Sequence, residues 1–581
     1  MKRLLPYFKP YIPLFIVSLV LALAINASVI AKPFIVKVVI DDYLVAGVHD
    51  IGVFRLFGLL FFAVVLIGAA LSYLQNYILT YAGQKIMFDI RNQLFEHVQR
   101  MNMSYFDKNS SGRILTRITH DVESLNELFS GMLINIFRDT VMIVGIVAIM
   151  AMMNLRLTVI ALLCLPLIAL VTIFYHKAAR ENFINMKSLI GRINGFLAEN
   201  ITGMRVVQIF HREKQKFEEF LKLDKSYFAS SLREVILNSL CRPIVDVINN
   251  LTIAALIWVS IGDMNRGGIE IGVLFAFITY IRQFFQPISD IAERYTGMQS
   301  AFVSADRVFQ IIDNSGQREE LKMGKAIKEA TGEIEFKDVW FAYENDNWVL
   351  KGVSFKIMPG DVVAFVGETG AGKSTIVGLI SRFYEIQSGE ILLDGININE
   401  YKLCDLRRQV AVVQQDVFLF SGDIRSNIKL KNNNISDADI RRAAERIGAD
   451  QFIDTLANGL NEVVKERGIT LSAGQRQLIS FTRAIAFDPV VLVLDEPTSN
   501  IDAESERMIQ EGVLKLSHGR TCIIVAHRLS TIRNADNIIV IHDGQIAEMG
   551  SHENLIMQNG LYANLNKQSK RSVPSIEPSH R

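Results

Sequence analysis

One eight-residue run in the chain has the residue types and spacing of a phosphate-binding loop. It reads Gly-Glu-Thr-Gly-Ala-Gly-Lys-Ser at positions 367–374 and fits the pattern G-x-x-x-x-G-K-S. Glycines let the backbone turn tightly, so that successive N–H groups point at phosphate oxygens. Lys373 supplies a positive charge for the β- and γ-phosphates, and the Ser374 hydroxyl can bind Mg²⁺. The run predicts a site for ATP with Mg²⁺ that comprises Gly367, Glu368, Thr369, Gly370, Ala371, Gly372, Lys373, Ser374 and Thr375.

The segments on both sides of this run are those that a phosphate-binding loop needs. Residues 362–366 are apolar and predict a buried strand, and residues 375–380 predict a helix. The N-terminus of such a helix carries partial positive charge and favours a bound anion. A chance glycine turn is the alternative, and the strand before it and the helix after it argue against that alternative.

A second buried strand ends in two carboxylates. Residues 490–494 are all apolar, and Asp495 and Glu496 follow them directly. A carboxylate at a strand end beside a phosphate loop can hold Mg²⁺, usually through water, which is the predicted role of Asp495. Glu496 is predicted to polarise the attacking water as a general base. Two surface acids are the alternative, and the turn expected at Pro497 argues against them.

The first half of the chain differs in composition from the part that contains these motifs. A membrane-spanning helix needs about 20 mostly apolar residues, and we expect six such spans before residue 312. They lie near Tyr11–Ile40, Phe54–Tyr81, Phe129–Met153, Leu157–Tyr175, Ile244–Ile261 and Ile271–Ile291. The third and fourth are joined by a short turn at 154–156 and form a hairpin.

Basic residues in the connecting segments predict the orientation of the spans. The segment around Asp41 carries acids, and no Lys or Arg occurs until Arg55, whereas the segments after the second and fourth spans are rich in both. Basic segments face the cytoplasm, which also places the N-terminus and the ATP-binding part inside. We therefore expect an integral protein of the cytoplasmic membrane whose ATPase part is cytoplasmic.

The two basic segments are predicted to be helical extensions of the spans, each ending in a turn. The turns fall at 106–112 and 210–213. Docking of these turns on a cytoplasmic domain is favoured over a solvent-exposed hairpin without a partner. Ionisable residues within the spans include Arg138 and Asp139 in the third, Asp246 in the fifth and Arg282 in the sixth. Internal pairing, for instance of Asp246 with Arg282, is favoured over contact with a substrate.

Length and composition set the domain organisation. A chain of 581 residues is too long for one ordinary domain, and its net charge of +1 gives no indication of nucleic acid binding. Its four scattered cysteines make a zinc site or a disulfide framework improbable, and no cleavable signal peptide is evident. We expect a membrane part over 1–311, a linker over 312–332, an α/β part over 333–568 with alternating strands and helices, and a polar, disordered tail over 569–581.

Further motifs follow in a characteristic order and resemble those of ABC ATPases. Leu471-Ser472-Ala473-Gly474-Gln475 resembles the signature motif, residues 499–502 resemble the D-loop, and residues 466–468 resemble the cross-talk loop of exporters. The resemblance implies that Tyr343 stacks on adenine, that Gln415 senses Mg²⁺, water and the membrane domain, and that His527 contacts the γ-phosphate. The residues implied to act in catalysis are Glu496, His527 and Gln415. The residues implied to hold the metal are Ser374, Gln415 and Asp495. The signature residues implied to bind nucleotide are Ser472, Ala473, Gly474 and Gln475.

The resemblance covers nearly the whole chain. Six spans ahead of one ATPase are similar to the half-transporters of the ABC exporter superfamily, with a likeness to bacterial multidrug-resistance-like and lipid-flippase-type members. It implies an α-helical membrane domain of six long helices followed by an α/β P-loop ABC ATPase domain. It also implies that two chains bind ATP between the phosphate loop of one and the signature motif of the other.

Two residues depart from the pattern of the family. Ala473 stands where glycine is common, and Asn500 stands where alanine is usual. Some exporters pair a chain with an altered signature with a partner that has altered catalytic residues. A homodimer and a heterodimer therefore both remain open.

The expected function is ATP-driven export of hydrophobic or amphipathic molecules, drugs or lipids, with membrane lipids as surroundings and no nucleic acid partner. A peptide exporter is the nearest alternative. A non-transporting ABC ATPase is disfavoured by the apolar spans. An importer is disfavoured because the membrane part is fused ahead of the motor, and nothing in the sequence calls for an ATP-gated channel.

Overall fold

The computed structural model describes residues 3–47, 50–163, 165–264, 269–314, 324–327, 329–344, 347–495, 512, 519–525 and 532–571. The chain divides into two compact units. The first comprises Met1–Val98 with Gly112–Asp313, and the second comprises Gln99–Ser111 with Asn314–Arg581.

Long helices build the first unit. The helices of the N-terminal half are α1 (Leu5–Phe8), α2 (Ile12–Val38), α3 (Ile51–Gln99), α4 (Met103–Lys108), α5 (Ser111–Thr116), α6 (Val122–Glu127), α7 (Leu133–Met153), α8 (Leu155–Leu163), α9 (Leu165–Thr202), α10 (Met204–Ile209), α11 (Glu213–Met264) and α12 (Ile271–Ile312). Of these, α4, the last residue of α3 and the first residue of α5 belong to the second unit. Wider π-helical turns lie at Val39–Val45, Arg117–Asp121 and Leu128–Met132. The last of these contains a break at Gly131, whose φ of 155° is not helical.

Five helical segments among the described residues are long and apolar enough to cross a membrane. They are Leu5–Val45, Ile51–Gln99, Ser111–Met153, Glu213–Ile261 and Ile271–Ile288. The predicted fourth span falls on α8 and α9, and Cys164 between them lies outside the described residues. The predicted hairpin turn is a single residue, Asn154, whose side-chain oxygen accepts a hydrogen bond from the N–H of Leu157 at 3.1 Å.

Polar contacts connect the spans at buried positions. Asp139 of α7 is almost fully buried and pairs with Arg138 and with Arg294 of α12. The expected pair between Asp246 and Arg282 is not formed. Both residues are exposed, and no ion pair joins them in the described part of the chain. Tertiary packing thus selected another acid and another arginine for the buried pair.

Strands and short helices form the second unit. The strands are β1 (Ile334–Ala342), β2 (Trp348–Ile357), β3 (Val362–Val366), β4 (Ser388–Leu393), β5 (Ile396–Asn397), β6 (Val410–Val413), β7 (Gly422–Asp423), β8 (Val463–Val464), β9 (Val491–Asp495), β10 (Thr521–Val525), β11 (Asn537–His542) and β12 (Gln545–Gly550). The helices are α13 (Lys373–Ile380), α14 (Leu403–Gln409), α15 (Ile424–Lys429), α16 (Asp437–Ile447), α17 (Ala449–Thr455), α18 (Ala473–Ala486), α19 (His552–Met557) and α20 (Leu561–Arg571).

Two sheets organise this unit. One has the order β2-β1-β4-β5 and is antiparallel, and the other has the order β12-β11-β3-β10-β9-β6 and is parallel except for β12. The central strand β3 is apolar throughout because both of its faces are covered. Val363 and Phe365 pack into the core shared with the antiparallel sheet, whereas Ala364 and Val366 pack into the core shared with α15–α18.

Parts of the predicted linker and tail are ordered. The N–H of Lys325 donates to the carbonyl of Glu400 at 2.7 Å, so this part of the linker packs on the second unit. Helix α20 ends at Arg571 and therefore includes residues 569–571 of the predicted tail, while residues 572–581 lie outside the described residues.

Candidate nucleotide-binding site

The predicted phosphate loop connects β3 to α13. Gly372 precedes the first turn of α13 with a φ of 107°, a left-handed conformation that glycine adopts without strain. Gly367 has a φ of 152°, and a Cβ atom there would lie 2.2 Å from the carbonyl oxygen of Ile541 in β11. Glycine is thus required at both ends of the loop. Close packing requires it at position 367, and backbone conformation requires it at position 372.

Lys373 is held inside the loop that contains it. Only 5% of the residue is exposed. Its ammonium group donates to the carbonyls of Gly367 at 2.7 Å and of Glu368 at 2.8 Å. These bonds fix the positive charge at the mouth of the loop, where a phosphate group would meet it.

Parallel pairing brings the ends of four strands to one edge of the six-stranded sheet. Strands β3, β10, β9 and β6 run parallel and are neighbours in that order. Ligand sites of such sheets lie at the carboxyl ends of the strands. Asp495 ends β9, and its Oδ1 atom lies 3.4 Å from the Ser374 hydroxyl. The two predicted Mg²⁺ ligands on separate elements are thus brought together.

The remaining predicted residues follow the ends of the other strands at this edge. Gln415 is exposed and comes two residues after the end of β6. Glu496 and His527 come after β9 and β10, and both residues lie outside the described residues, as does the D-loop at 499–502.

The signature segment forms the N-terminus of α18. The Ser472 hydroxyl accepts a hydrogen bond from the N–H of Gln475 at 3.2 Å, and the Gln475 side chain accepts from the N–H of Ser472 at 2.9 Å. This reciprocal capping box stabilises the first turn of the helix. No hydrogen bond between described residues joins Ser472, Ala473, Gly474 or Gln475 to the phosphate loop of the same chain.

Ala473 occupies the first position of this helix. It is not among the residues with positive φ, and a helical backbone accommodates alanine better than glycine. Alanine therefore imposes no strain on the backbone at this position, because the conformation is one that alanine prefers.

Tyr343, the predicted adenine-stacking residue, follows β1 directly. Its hydroxyl lies 3.1 Å from the Thr375 hydroxyl in α13, and its ring packs edge-on against Phe341 and Tyr384. Burial of the hydroxyl raises the pKa of Tyr343 above its usual value. Forty-five per cent of the residue is nevertheless exposed, which leaves ring surface for a base.

Two structural features of the site escaped sequence reasoning. Tyr384, which follows α13, donates a hydrogen bond to Asp107 of α4 at 2.8 Å. The Arg483 guanidinium of α18 donates to the carbonyl of Asn427 at 2.8 Å and also contacts the carbonyl of Phe418, and burial lowers its pKa. No local motif marks either residue, because both acquire their role through partners that are distant in sequence.

Two family models match the chain. The ABC transporter transmembrane region matches residues 15–288, and the ABC transporter model matches residues 350–499. The chain is also 37% identical to an "Uncharacterized ABC transporter ATP-binding protein" of Bacillus subtilis, over 98% of this chain and 94% of the relative. The chain belongs to the ABC transporter family. In this exporter the membrane domain and the ATPase domain are fused.

Other relatives and one solved structure agree with this assignment. The exporter is 39% identical to a "Probable multidrug resistance ABC transporter ATP-binding/permease protein" of Bacillus subtilis, over 87% of this chain and 75% of the relative. It is 33% identical to an "ATP-dependent lipid A-core flippase" of Syntrophus aciditrophicus, over 97% and 94%. A bacterial Atm1-family ABC exporter with ATP bound shares its fold with a TM-score of 0.78 and 25% identity, over 98% of this chain and 99% of that chain.

Several sequence predictions are thereby confirmed. The protein is an integral membrane ABC exporter that binds nucleotide, hydrolyses ATP to drive transport, carries its ATPase domain in the cytoplasm and functions as a dimer of half-transporters. The fold class is confirmed as a helical membrane domain followed by an α/β ATPase domain.

Proposed function

We propose that this exporter moves hydrophobic or amphipathic molecules, drugs or lipids, out of the cytoplasmic side of the membrane. The names of its relatives supply the support, since they include multidrug resistance proteins and lipid A-core flippases. In this proposal residues 1–311 form the export path, residues 312–332 connect the domains, and residues 333–568 hydrolyse ATP.

The meeting of Lys373, Ser374 and Asp495 at one sheet edge carries the proposal for the ATP site. Lys373 would bind the β- and γ-phosphates, with the backbone N–H groups of the loop beside it. One carboxylate and one hydroxyl suit Mg²⁺, which keeps several waters and takes other ligands from the substrate phosphates. Ser374 and Asp495, with Gln415, would hold the ion, and the ion would neutralise phosphate charge.

The other roles are proposed from the order of these residues along the chain. Glu496, directly after Asp495, would activate the attacking water as a general base. His527 would contact the γ-phosphate, and Gln415 would report nucleotide to the membrane domain. Tyr343 would stack on the adenine ring.

We further propose that two copies of this chain form the dimer. The signature segment of each copy would close over the phosphate loop of the other, with Ser472, Ala473, Gly474 and Gln475 at the γ-phosphate. The helical backbone at Ala473 supports two competent sites. ATP binds the closed dimer better than the open one, and about 5.5 kcal/mol of differential affinity moves such an equilibrium from mostly open to mostly closed.

The test compares two variants in lipid. Lys373→Ala should lose ATP binding because the phosphate charge loses its buried counterion. Glu496→Gln should retain ATP binding and lose turnover by about 10²-fold or more, because only the general base is removed. Binding of a fluorescent ATP analogue and phosphate release measure the two effects separately.

The same assays include a cargo series. Cationic, neutral and anionic amphiphiles and a hydrophilic peptide are added to the wild-type exporter, and stimulation of phosphate release is recorded. Stimulation by amphiphiles alone supports the proposed cargo class. Stimulation by the peptide alone contradicts it, and unchanged ATP affinity in Lys373→Ala contradicts the proposed site.

A further inference from the structure

Helix α4 is a short cytoplasmic segment that belongs to the ATPase unit in space although it lies between membrane helices in sequence. Residues 99–111 pack with the second unit. The carboxylate of Asp107 in α4 accepts a hydrogen bond from the Tyr384 hydroxyl at 2.8 Å. Burial, and then the bond to Asp107 and its charge, raise the pKa of Tyr384 well above its usual value. The hydroxyl therefore stays a hydrogen-bond donor at physiological pH.

The Tyr384 ring continues this contact towards the phosphate loop. It meets the Tyr343 ring edge-on, with centroids 5.1 Å apart and planes at 88°. The Tyr343 hydroxyl lies 3.1 Å from that of Thr375, which follows Ser374 in the first turn of α13. An unbroken series of contacts thus runs from α4 to the phosphate loop.

Asp107 and the two tyrosines of the series line one cleft. A cleft of about 740 Å³ is lined by Asn102, Ser104 and Asp107 on one side and by Tyr343 and Tyr384 on the other. A planar group that stacks on Tyr343 would therefore restrict the ring that Tyr384 touches. Because Tyr384 has only two χ angles, fixing its ring also fixes the position of its hydroxyl oxygen.

We propose that Tyr384 is a positioning residue that couples stacking of the nucleotide base on Tyr343 to the docking of α4. The proposal rests on the assignment of Tyr343 as the base-binding residue in the proposed function. A bound base holds Tyr343, Tyr343 holds Tyr384, and Tyr384 holds Asp107 of α4. Coupling of this kind is reciprocal, so docked α4 also strengthens binding of the base.

Hydrogen exchange of the full-length dimeric exporter in lipid tests this coupling. ATP should slow exchange in both 367–375 and 99–111. Inorganic tripolyphosphate, which has no base, should slow exchange in 367–375 and leave 99–111 unchanged. In Tyr384→Phe, ATP should still protect 367–375, but its protection of 99–111 should fall about threefold or more, as expected for one lost hydrogen bond to a carboxylate.

A matched control and a double variant separate coupling from general destabilisation. Tyr562→Phe removes another tyrosine hydroxyl of the same domain, which lies 2.7 Å from His552 Nδ1, and should leave the protection of 99–111 as in the wild type. Asp107→Ala combined with Tyr384→Phe should lose no more protection than either variant alone, because the two changes remove one interaction.

The outcomes separate this proposal from the proposed function. Wild-type protection of 99–111 in Tyr384→Phe, or protection of 99–111 by tripolyphosphate equal to that by ATP, would overturn the coupling and leave the ATP site intact. No protection of 367–375 by ATP in the wild type would overturn the ATP site and the coupling with it. The comparison of tripolyphosphate with ATP uses the wild-type protein, so it tests the coupling even where a variant fails to fold.

Discussion

Two small residues of the nucleotide site obey different constraints. Gly367 cannot carry a side chain, because a Cβ atom would overlap the carbonyl oxygen of Ile541 at 2.2 Å. Ala473 begins a helix with ordinary backbone geometry, where a methyl group favours the helix. Glycine is therefore essential at position 367, whereas position 473 accepts alanine. Only the backbone conformation and the neighbouring atoms distinguish the two positions.

The pair of substitutions Ala473→Gly and Gly367→Ala tests this distinction. We expect Ala473→Gly to hydrolyse ATP within about twofold of the wild type and to lower the free energy of unfolding by up to about 1 kcal/mol. Gly367→Ala should lose ATP binding because the loop must move to relieve the overlap. Phosphate release and thermal denaturation of the purified exporter measure both. A large gain of ATP turnover in Ala473→Gly would show that the methyl group obstructs the site.

Among the elements, helices α7 and α12 are joined by an ion pair whose acid is buried. Asp139 of α7 accepts hydrogen bonds from Arg138 and from Arg294 of α12, and its side chain is only 4% exposed. Asn26 of α2 adds a third helix by donating to the carbonyl of Arg138 at 2.7 Å. Such a network orients helices whose apolar faces alone do not specify a register.

Removal of the carboxylate should therefore weaken the helix bundle. In Asp139→Ala the Arg294 guanidinium loses its buried partner, which typically costs about 3–5 kcal/mol in a fully buried pair. The Arg294 side chain is 24% exposed, so we expect a loss of about 1–3 kcal/mol, seen as a lower melting temperature in detergent. Lys216→Gln is the control, since the side chains of Lys216 and Glu219 are 39% and 40% exposed and an exposed ion pair contributes little to stability. Equal melting temperatures for the two variants would contradict the assigned role of Asp139.

The complete exporter consists of two chains. The ABC exporter fold is dimeric, and each chain has one phosphate loop and one signature segment. Within one chain the signature segment makes its capping bonds with itself. A composite site formed between two copies follows from the proposed homodimer, because twofold symmetry brings two unlike surfaces together twice.

Complementation between two inactive variants tests the composite site. Lys373→Ala and Ser472→Ala should each abolish turnover when expressed alone. The mixed dimer formed on co-expression should show roughly half of the wild-type rate, since it has one intact site of two. Phosphate release by the doubly tagged, purified mixed dimer is the measurement. A mixed dimer without activity would contradict a site shared between chains, and an inactive wild-type chain would indicate a different partner chain.

Local sequence patterns predicted much of the structure. The apolar spans, the phosphate loop between a strand and a helix, and the turn between the third and fourth spans were predictable, because length, hydropathy and glycine spacing act over a few neighbouring residues. The prediction of a pair between Asp246 and Arg282 was wrong, because such a pair depends on contacts between distant segments. Both residues lie in spans, but their rotational positions depend on how the helices pack, and packing chose Asp139 and Arg294 instead.

The sequence by itself thus determined the protein family and the use of ATP, and it predicted which residues bind phosphate, because each is encoded in short-range chemistry. Tertiary structure alone decided that Asp495 reaches Ser374, that Gly367 cannot be replaced while Ala473 is unstrained, and that Tyr384 joins Asp107 to Tyr343. Those relations depend on strand order, helix rotation and contacts between residues hundreds of positions apart, and no local pattern contains them.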